Sequence, residues 1–243
     1  MNAFRLLEDY RNKALTFNDD IQGTASVVLA GVMSSLPLVK KLGVGDHTYL
    51  FNGAGEAGVG IADLITSSIV KEKGCSEQEA RQQIWLVDSK GLVTSERTGL
   101  AHHKLNYAHE PPKMKDGQSC GGEGDALLDA VNAIEPSALM GVSAQGGSFT
   151  ETILKRMAAL NEHPLIFALS NPTSKAECTA TEAYIHTNGR AVFASGSPFD
   201  PVTLADGSIK VREYRIDIGY FGYLELWLYL LFYCCHVPRR VVH

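Results

Sequence analysis

Between residues 49 and 195 the chain repeats one pattern five times: a short apolar run stops abruptly in small polar residues and glycine. Tyr49–Asn52 runs into Gly53-Ala54-Gly55-Glu56-Ala57-Gly58, and Ile84–Asp88 into Ser89-Lys90-Gly91. Ala138–Val142 is followed by Ser143-Ala144-Gln145-Gly146-Gly147, and Leu165–Leu169 by Ser170-Asn171-Pro172-Thr173. Ala191–Ala194 ends in Ser195-Gly196-Ser197-Pro198. Short apolar runs of this kind predict strands covered on both faces. Helical patterns lie between them. Ala57, Ile61, Leu64, Ile65 and Ile69 share one helical face, and Ser76–Glu79, Ser148–Glu151 and Thr179–Glu182 have the spacing of capping boxes. Strand and helix in alternation predict an α/β fold with a doubly wound parallel sheet. Ligands of such sheets sit outside the carboxyl ends of the strands, where all five runs here turn small and polar.

The first of these ends is the most specific. Gly53, Gly55 and Gly58 form GxGxxG between a strand and a helix. The first glycine permits a tight turn, the second lets the backbone approach a pyrophosphate, and the third lets helix and strand pack closely. The phosphates would rest on the helix N-terminus, beside Ala54, Glu56 and Ala57. This is a Rossmann-like dinucleotide fingerprint. Asp88, closing the second strand, either accepts from the adenosine ribose or is a solvated strand-end acid. Ser89, Lys90 and Lys104 could instead hold a 2′-phosphate. Asn171 suits a substrate carboxylate or a nicotinamide amide, and equally a turn before Pro172. Asp19 and Asp20 precede an apolar helix expected over 23–35 and limited by Pro37. They read either as N-caps or as hard-cation ligands for Mg²⁺ or Mn²⁺. His102, His103 and His109 fall in the longest irregular stretch, 95–122, and read as a surface cluster. Cys178 reads as structural.

Composition narrows the function. Lys and Arg number 22 against 27 Asp and Glu, a net charge of −5, which excludes a polybasic nucleic-acid binder. The five cysteines (75, 120, 178, 234 and 235) contain no CxxC pair, as in a reducing compartment such as cytoplasm or plastid. Residues 1–45 form a helical lead-in and 46–211 the dinucleotide domain. From 212 to 243 the composition shifts to an aromatic, apolar tail interrupted by Glu225, read as unrelated sequence rather than a membrane anchor.

Six blocks together resemble malic enzyme, and an NADP-dependent, plant-type member most of all: Thr16–Ala25, Gly53–Ile65, Trp85–Leu92, Gly141–Glu151, Phe167–Tyr184 and Ala194–Val202. The resemblance covers roughly residues 2 to 210. It implies oxidative decarboxylation of L-malate to pyruvate and CO₂, NADP reduction (NAD being the alternative), a divalent cation and a homo-oligomer. It assigns Asp20 as a metal ligand with Asp19 in the same pocket, and Asn171 to substrate and nicotinamide. The glycine loop, Asp88, Ser89, Ser143 and Lys104 fall to the cofactor. The family's Glu-Asp metal pair, catalytic Tyr, base Lys and malate-gripping Arg lie upstream of the matched blocks. The expected segment after about 211 is also not found. Asn52 stands where the family has a larger apolar residue. A non-catalytic dinucleotide-binding or subunit-interaction fragment is the alternative reading.

Overall fold

The computed structural model describes residues 3–41, 43–112 and 125–210, together with the two-residue strand at 214–215. Strand β1 (Tyr49–Asn52) is central. It pairs in parallel with β2 (Ile84–Asp88) on one side and β4 (Ala138–Gly141) on the other. Beyond β4 the parallel sheet continues through β5 (Leu165–Ala168), β6 (Val192–Ser195) and β9 (Tyr214–Arg215). At the opposite edge β3 (Gly91–Leu92) folds back antiparallel to β2, so the order is β3-β2-β1-β4-β5-β6-β9. Chain direction across the sheet reverses between β1 and β4. That switch point is where an open α/β sheet leaves a crevice.

All five anticipated strands form, with ends displaced by one residue at β4, β5 and β6. The two-residue strands β3 and β9, and the hairpin of β7 (Val202–Thr203) and β8 (Ile209–Lys210), were not legible, since two residues carry no periodicity. Every residue of β1, β4, β5 and β6 is buried. Successive side chains alternate between faces. Tyr49, Phe51, Met140 and Phe167 meet α2 (Thr24–Ser35) and α3 (Glu56–Lys73). Leu50, Leu139, Ile166 and Phe193 meet α5 (Ala126–Ile134), α6 (Glu151–Leu160) and α7 (Ala180–His186). The apolar run of the lead-in thus finds its cover: Val28 and Val32 of α2 are fully buried in the core they share with α3. Each such side chain contributes about 1.5–3 kcal/mol.

Helix starts follow short-range chemistry, with two corrections. Ser76 and Thr179 form the capping boxes expected of them, the first on α4 (Glu77–Arg81). Ser148 does not cap α6. Thr150 directly precedes the helix and accepts from the Ile153 amide, while the Ser148 hydroxyl accepts from Asn52 Nδ2 at 2.9 Å. Neither Asp19 nor Asp20 caps the helix after them. Asn18 accepts from the Ile21 amide at 2.9 Å and opens a π-helical turn, Asp19–Gly23, that leads into α2.

The irregular stretch after β3 is less superficial than its composition suggests. Tyr107 and His109 are buried. His109 Nε2 lies 2.8 Å from the Ile84 carbonyl oxygen, its ring is edge-on to Trp85, and burial lowers its pKa. The surface reading therefore fails for His109, because the 3₁₀ turn His102–Tyr107 folds back onto β2 and α4. Residues 113–124, most of the 212–243 tail, and Cys120, Cys234 and Cys235 lie outside the described residues. Among the described residues no helix is long and apolar enough to cross a membrane.

Candidate cofactor-binding site

The glycine loop is built by contacts that exclude side chains. Gly53 N–H donates to the Val87 carbonyl at 2.8 Å, extending the β1–β2 pairing by one residue. Gly53 then turns at φ +120°, and a Cβ there would lie 2.6 Å from the Val142 carbonyl oxygen. A Cβ on Gly58 would lie 2.6 Å from the Gly53 carbonyl oxygen, so α3 rests directly on the turn. Gly55 differs: a Cβ there would meet nothing within 4 Å. Its backbone faces open space at the head of α3 and supplies no side-chain cap. Amides of the first turn of an α-helix have no partner within the helix and favour an anion. Ala54 is buried, and Glu56 and Ala57 are half-buried in this entry to α3.

At the neighbouring end of β2, Asp88 is engaged on all sides. Arg97 grips it with both terminal nitrogens, Nη1 to Oδ1 at 2.9 Å and Nη2 to Oδ2 at 3.1 Å. Lys104 Nζ donates to Oδ2 at 2.7 Å and the Lys90 amide to Oδ1 at 2.9 Å. Partial burial would raise the carboxyl pKa, but the bonds from Arg97, Lys104 and Lys90 outweigh it and hold it below the usual range. Arg97 Nη1 also donates to the carbonyls of Gly91 and Leu92, which ties it beneath β3. One anion with two cations leaves the cluster a net charge of +1. Ser89 and Lys90 are exposed beside it. Lys104 is among the residues the sequence singles out, and Arg97, which shares its carboxylate partner, is not.

On the other side of the glycine loop, Ser143 follows β4 and Ser170 follows β5. Asn52 Nδ2 donates to Ser143 Oγ at 3.3 Å as well as to Ser148, so the unusual polar residue at the end of β1 binds the neighbouring strand's loop. Both serines donate to Glu177, which is fully buried. Glu177 falls within the block Phe167–Tyr184 and is not among the residues the sequence singles out. Its signal was a lone acid between Ala176 and Cys178, both of them buried. Cys178 is 2% exposed, and burial pushes its thiol well above the ordinary range, as suits a structural residue.

Asn171, beyond β5, is exposed at the same end of the sheet. Asp19 and Asp20 are exposed on the turn before α2, whose Ile21 packs against Gly60 of α3. Among the described residues no group of three or more His, Cys, Asp or Glu could hold a metal ion.

Residues 21–213 match the family model described as "Malic enzyme, NAD binding domain". The NADP-dependent malic enzyme of Rattus norvegicus is 58% identical over 207 residues, 85% of this chain and 34% of that protein. NADP-dependent malic enzyme 3 of Arabidopsis thaliana is 56% identical over 202 residues, 83% of this chain and 32% of that protein. The chain thus spans about a third of the length of the curated relatives it matches. Among solved structures, the malic enzyme of Entamoeba histolytica superposes with a TM-score of 0.61 at 25% identity, over 82% of this chain and 37% of that one. An NAD-dependent malic enzyme from Thermotoga maritima superposes with a TM-score of 0.59 at 24% identity, over 83% and 47%, and speaks to the fold alone.

Proposed function

The chain belongs to the malic enzyme family through its NAD-binding domain, and on that premise we propose that it binds NADP along the ends of β2, β1, β4 and β5. The pyrophosphate rests on Gly53–Gly58 and the amides of α3. The adenosine ribose lies by Asp88, Ser89 and Lys104. The nicotinamide half continues toward Ser143 and Asn171. The observation that carries the choice of NADP over NAD is the Asp88–Arg97–Lys104 cluster. A carboxylate free to accept from a 2′-hydroxyl suits NAD. Here that carboxylate is already paired with two cations, and the surplus positive charge suits a 2′-phosphate.

The reaction the domain serves is oxidative decarboxylation of L-malate to pyruvate and CO₂. The cofactor supplies the hydride acceptor. The chain's own part is to bind and orient it, with Asn171 beside the nicotinamide and substrate. Asp20, with Asp19 next to it, offers one side of a Mg²⁺ or Mn²⁺ site whose remaining ligands are not among the described residues. The described residues support cofactor binding. Further parts of the proposal are the division at residues 1–45, 46–211 and 212–243, a homo-oligomer, and a reducing compartment, cytoplasm or plastid.

Calorimetric titration of the full chain with NADP⁺ and NAD⁺ tests the reading. NADP⁺ should bind at least about tenfold more tightly, the size of one charge-assisted contact. Equal affinity for the two would overturn the choice, and binding of neither would overturn the cofactor site.

A further inference from the structure

Glu177 is a fully buried acid that, among the described residues, pairs with no cation. Its Oε1 accepts from the Ser143 amide at 3.0 Å, from Ser143 Oγ at 3.3 Å and from Ser170 Oγ at 2.6 Å. Its Oε2 accepts from the Ser170 amide at 3.3 Å. The serine hydroxyls also accept. Ser170 Oγ already accepts from the Ala144 amide at 2.9 Å, and Ser143 Oγ from the Gln145 amide at 3.2 Å and from Asn52. Each has one proton left to give, and Glu177 is where it goes. Two backbone amides and two serine hydroxyls thus converge on the one buried carboxyl group, satisfying polar atoms that burial would otherwise leave unpaired.

The network crosses strand ends that are neighbours in the sheet and distant in the chain. Asn52 ends β1, Ser143 follows β4 and Ser170 follows β5. Ser197, after β6, donates to the Ser170 carbonyl at 3.3 Å. The close fit leaves no room for other side chains: a Cβ on Gly141 would lie 2.5 Å from the Glu177 carboxyl carbon, and one on Gly146 would lie 2.4 Å from the Ser174 carbonyl oxygen. With the adenosine at β2 and the pyrophosphate at β1, the nicotinamide half of a dinucleotide must run over the loops after β4 and β5.

We infer that Glu177 is a positioning residue for that half of the cofactor. Its carboxylate locks the loop of Ser143–Gly147 to the loop of Ser170–Lys175, and so fixes Ser143 and Asn171 beside the glycine loop. The inference deepens the NADP reading and rests on it.

The test is titration of the full chain with NADP⁺ and with 2′,5′-ADP, which carries only the adenosine half. Glu177→Gln keeps the shape, but its NH₂ must face a backbone or hydroxyl donor whichever way it lies. NADP⁺ affinity should weaken by at least about tenfold, while 2′,5′-ADP affinity should change by less than about twofold. Ser170→Ala removes the bridge between the Ala144 amide and the carboxylate, and should give the same split to a smaller degree. Should Glu177→Gln fail to fold, Ser170→Ala is judged by the same split. Equal weakening of both ligands, or a lowered melting temperature with unchanged affinities, would reduce Glu177 to a structural role and overturn the inference. If the unmodified chain binds neither ligand, the cofactor reading itself fails and this inference with it.

Discussion

The Asp88 cluster gives the sharpest handle on cofactor choice. Arg97→Ala removes one unit of positive charge and takes the cluster from +1 to neutral. Arg97 is 20% exposed and its partner Asp88 11%, so solvent screens the site only in part. At an effective dielectric near 20, a 2′-phosphate roughly 6 Å from the guanidinium gains several kcal/mol of raw attraction. Its own desolvation and residual screening cancel much of that. A net loss of about 2 kcal/mol follows, or roughly thirtyfold in Kd for NADP⁺. NAD⁺ carries no 2′-phosphate and should shift by less than about threefold. Parallel titrations at two salt concentrations check this, since the thirtyfold difference should shrink as salt rises. Stability should also fall by about 1–2 kcal/mol, because the carbonyls of Gly91 and Leu92 lose their donor. A variant whose NADP⁺ and NAD⁺ affinities fell together would refute the electrostatic argument and leave Arg97 as a brace for β3.

The glycine loop separates folding from binding. Gly55→Ala should leave the melting temperature within about 1 °C, because its Cβ meets nothing, yet weaken NADP⁺ binding at least about tenfold by standing where the pyrophosphate approaches. Gly58→Ala drives a methyl into the Gly53 carbonyl and should cost about 1–3 kcal/mol in denaturant melts; an unchanged midpoint would contradict that contact. His47 gives a pH dependence. Burial first, then Lys41, lowers its pKa to about 4 from 6.5, so the native state holds it neutral. Its contribution is fully present above pH 6.5 and is lost as pH falls from 6.5 toward 4, by about 3 kcal/mol in all. Urea melts of His47→Gln against the unmodified chain should show a shallower loss over that window, and identical slopes would sink the assignment. Mg²⁺ added at millimolar concentration should move the melting temperature by less than about 1 °C, since Asp19 and Asp20 lack a third ligand among the described residues; a large upward shift would show a site they do complete.

What could be read in advance was local in the chain. The glycine loop announces itself because a turn at φ +120° and a helix seated on a carbonyl each demand glycine at a fixed spacing. The strands announce themselves because burial on both faces demands unbroken apolar runs. Ser76 and Thr179 work the same way, through a partner three residues on. The missed features depend on contacts that span turns or strands. Arg97 reaches Asp88 only because a two-residue strand doubles the chain back, and His109 is buried only because the next segment folds onto β2. Ser148 was misread for a related reason: its hydroxyl serves Asn52, 96 residues away, and leaves Thr150 to cap α6. Glu177 is the extreme case, with partners seven and 34 residues upstream on two different strand ends. The polar strand end at Asn52, which read as a departure from the family, is a donor into that same network. A polar residue that breaks an apolar pattern is thus best paired with other such breaks at the same end of the sheet. On that rule Asn52 and Glu177 point to each other through Ser143, although 125 residues separate them.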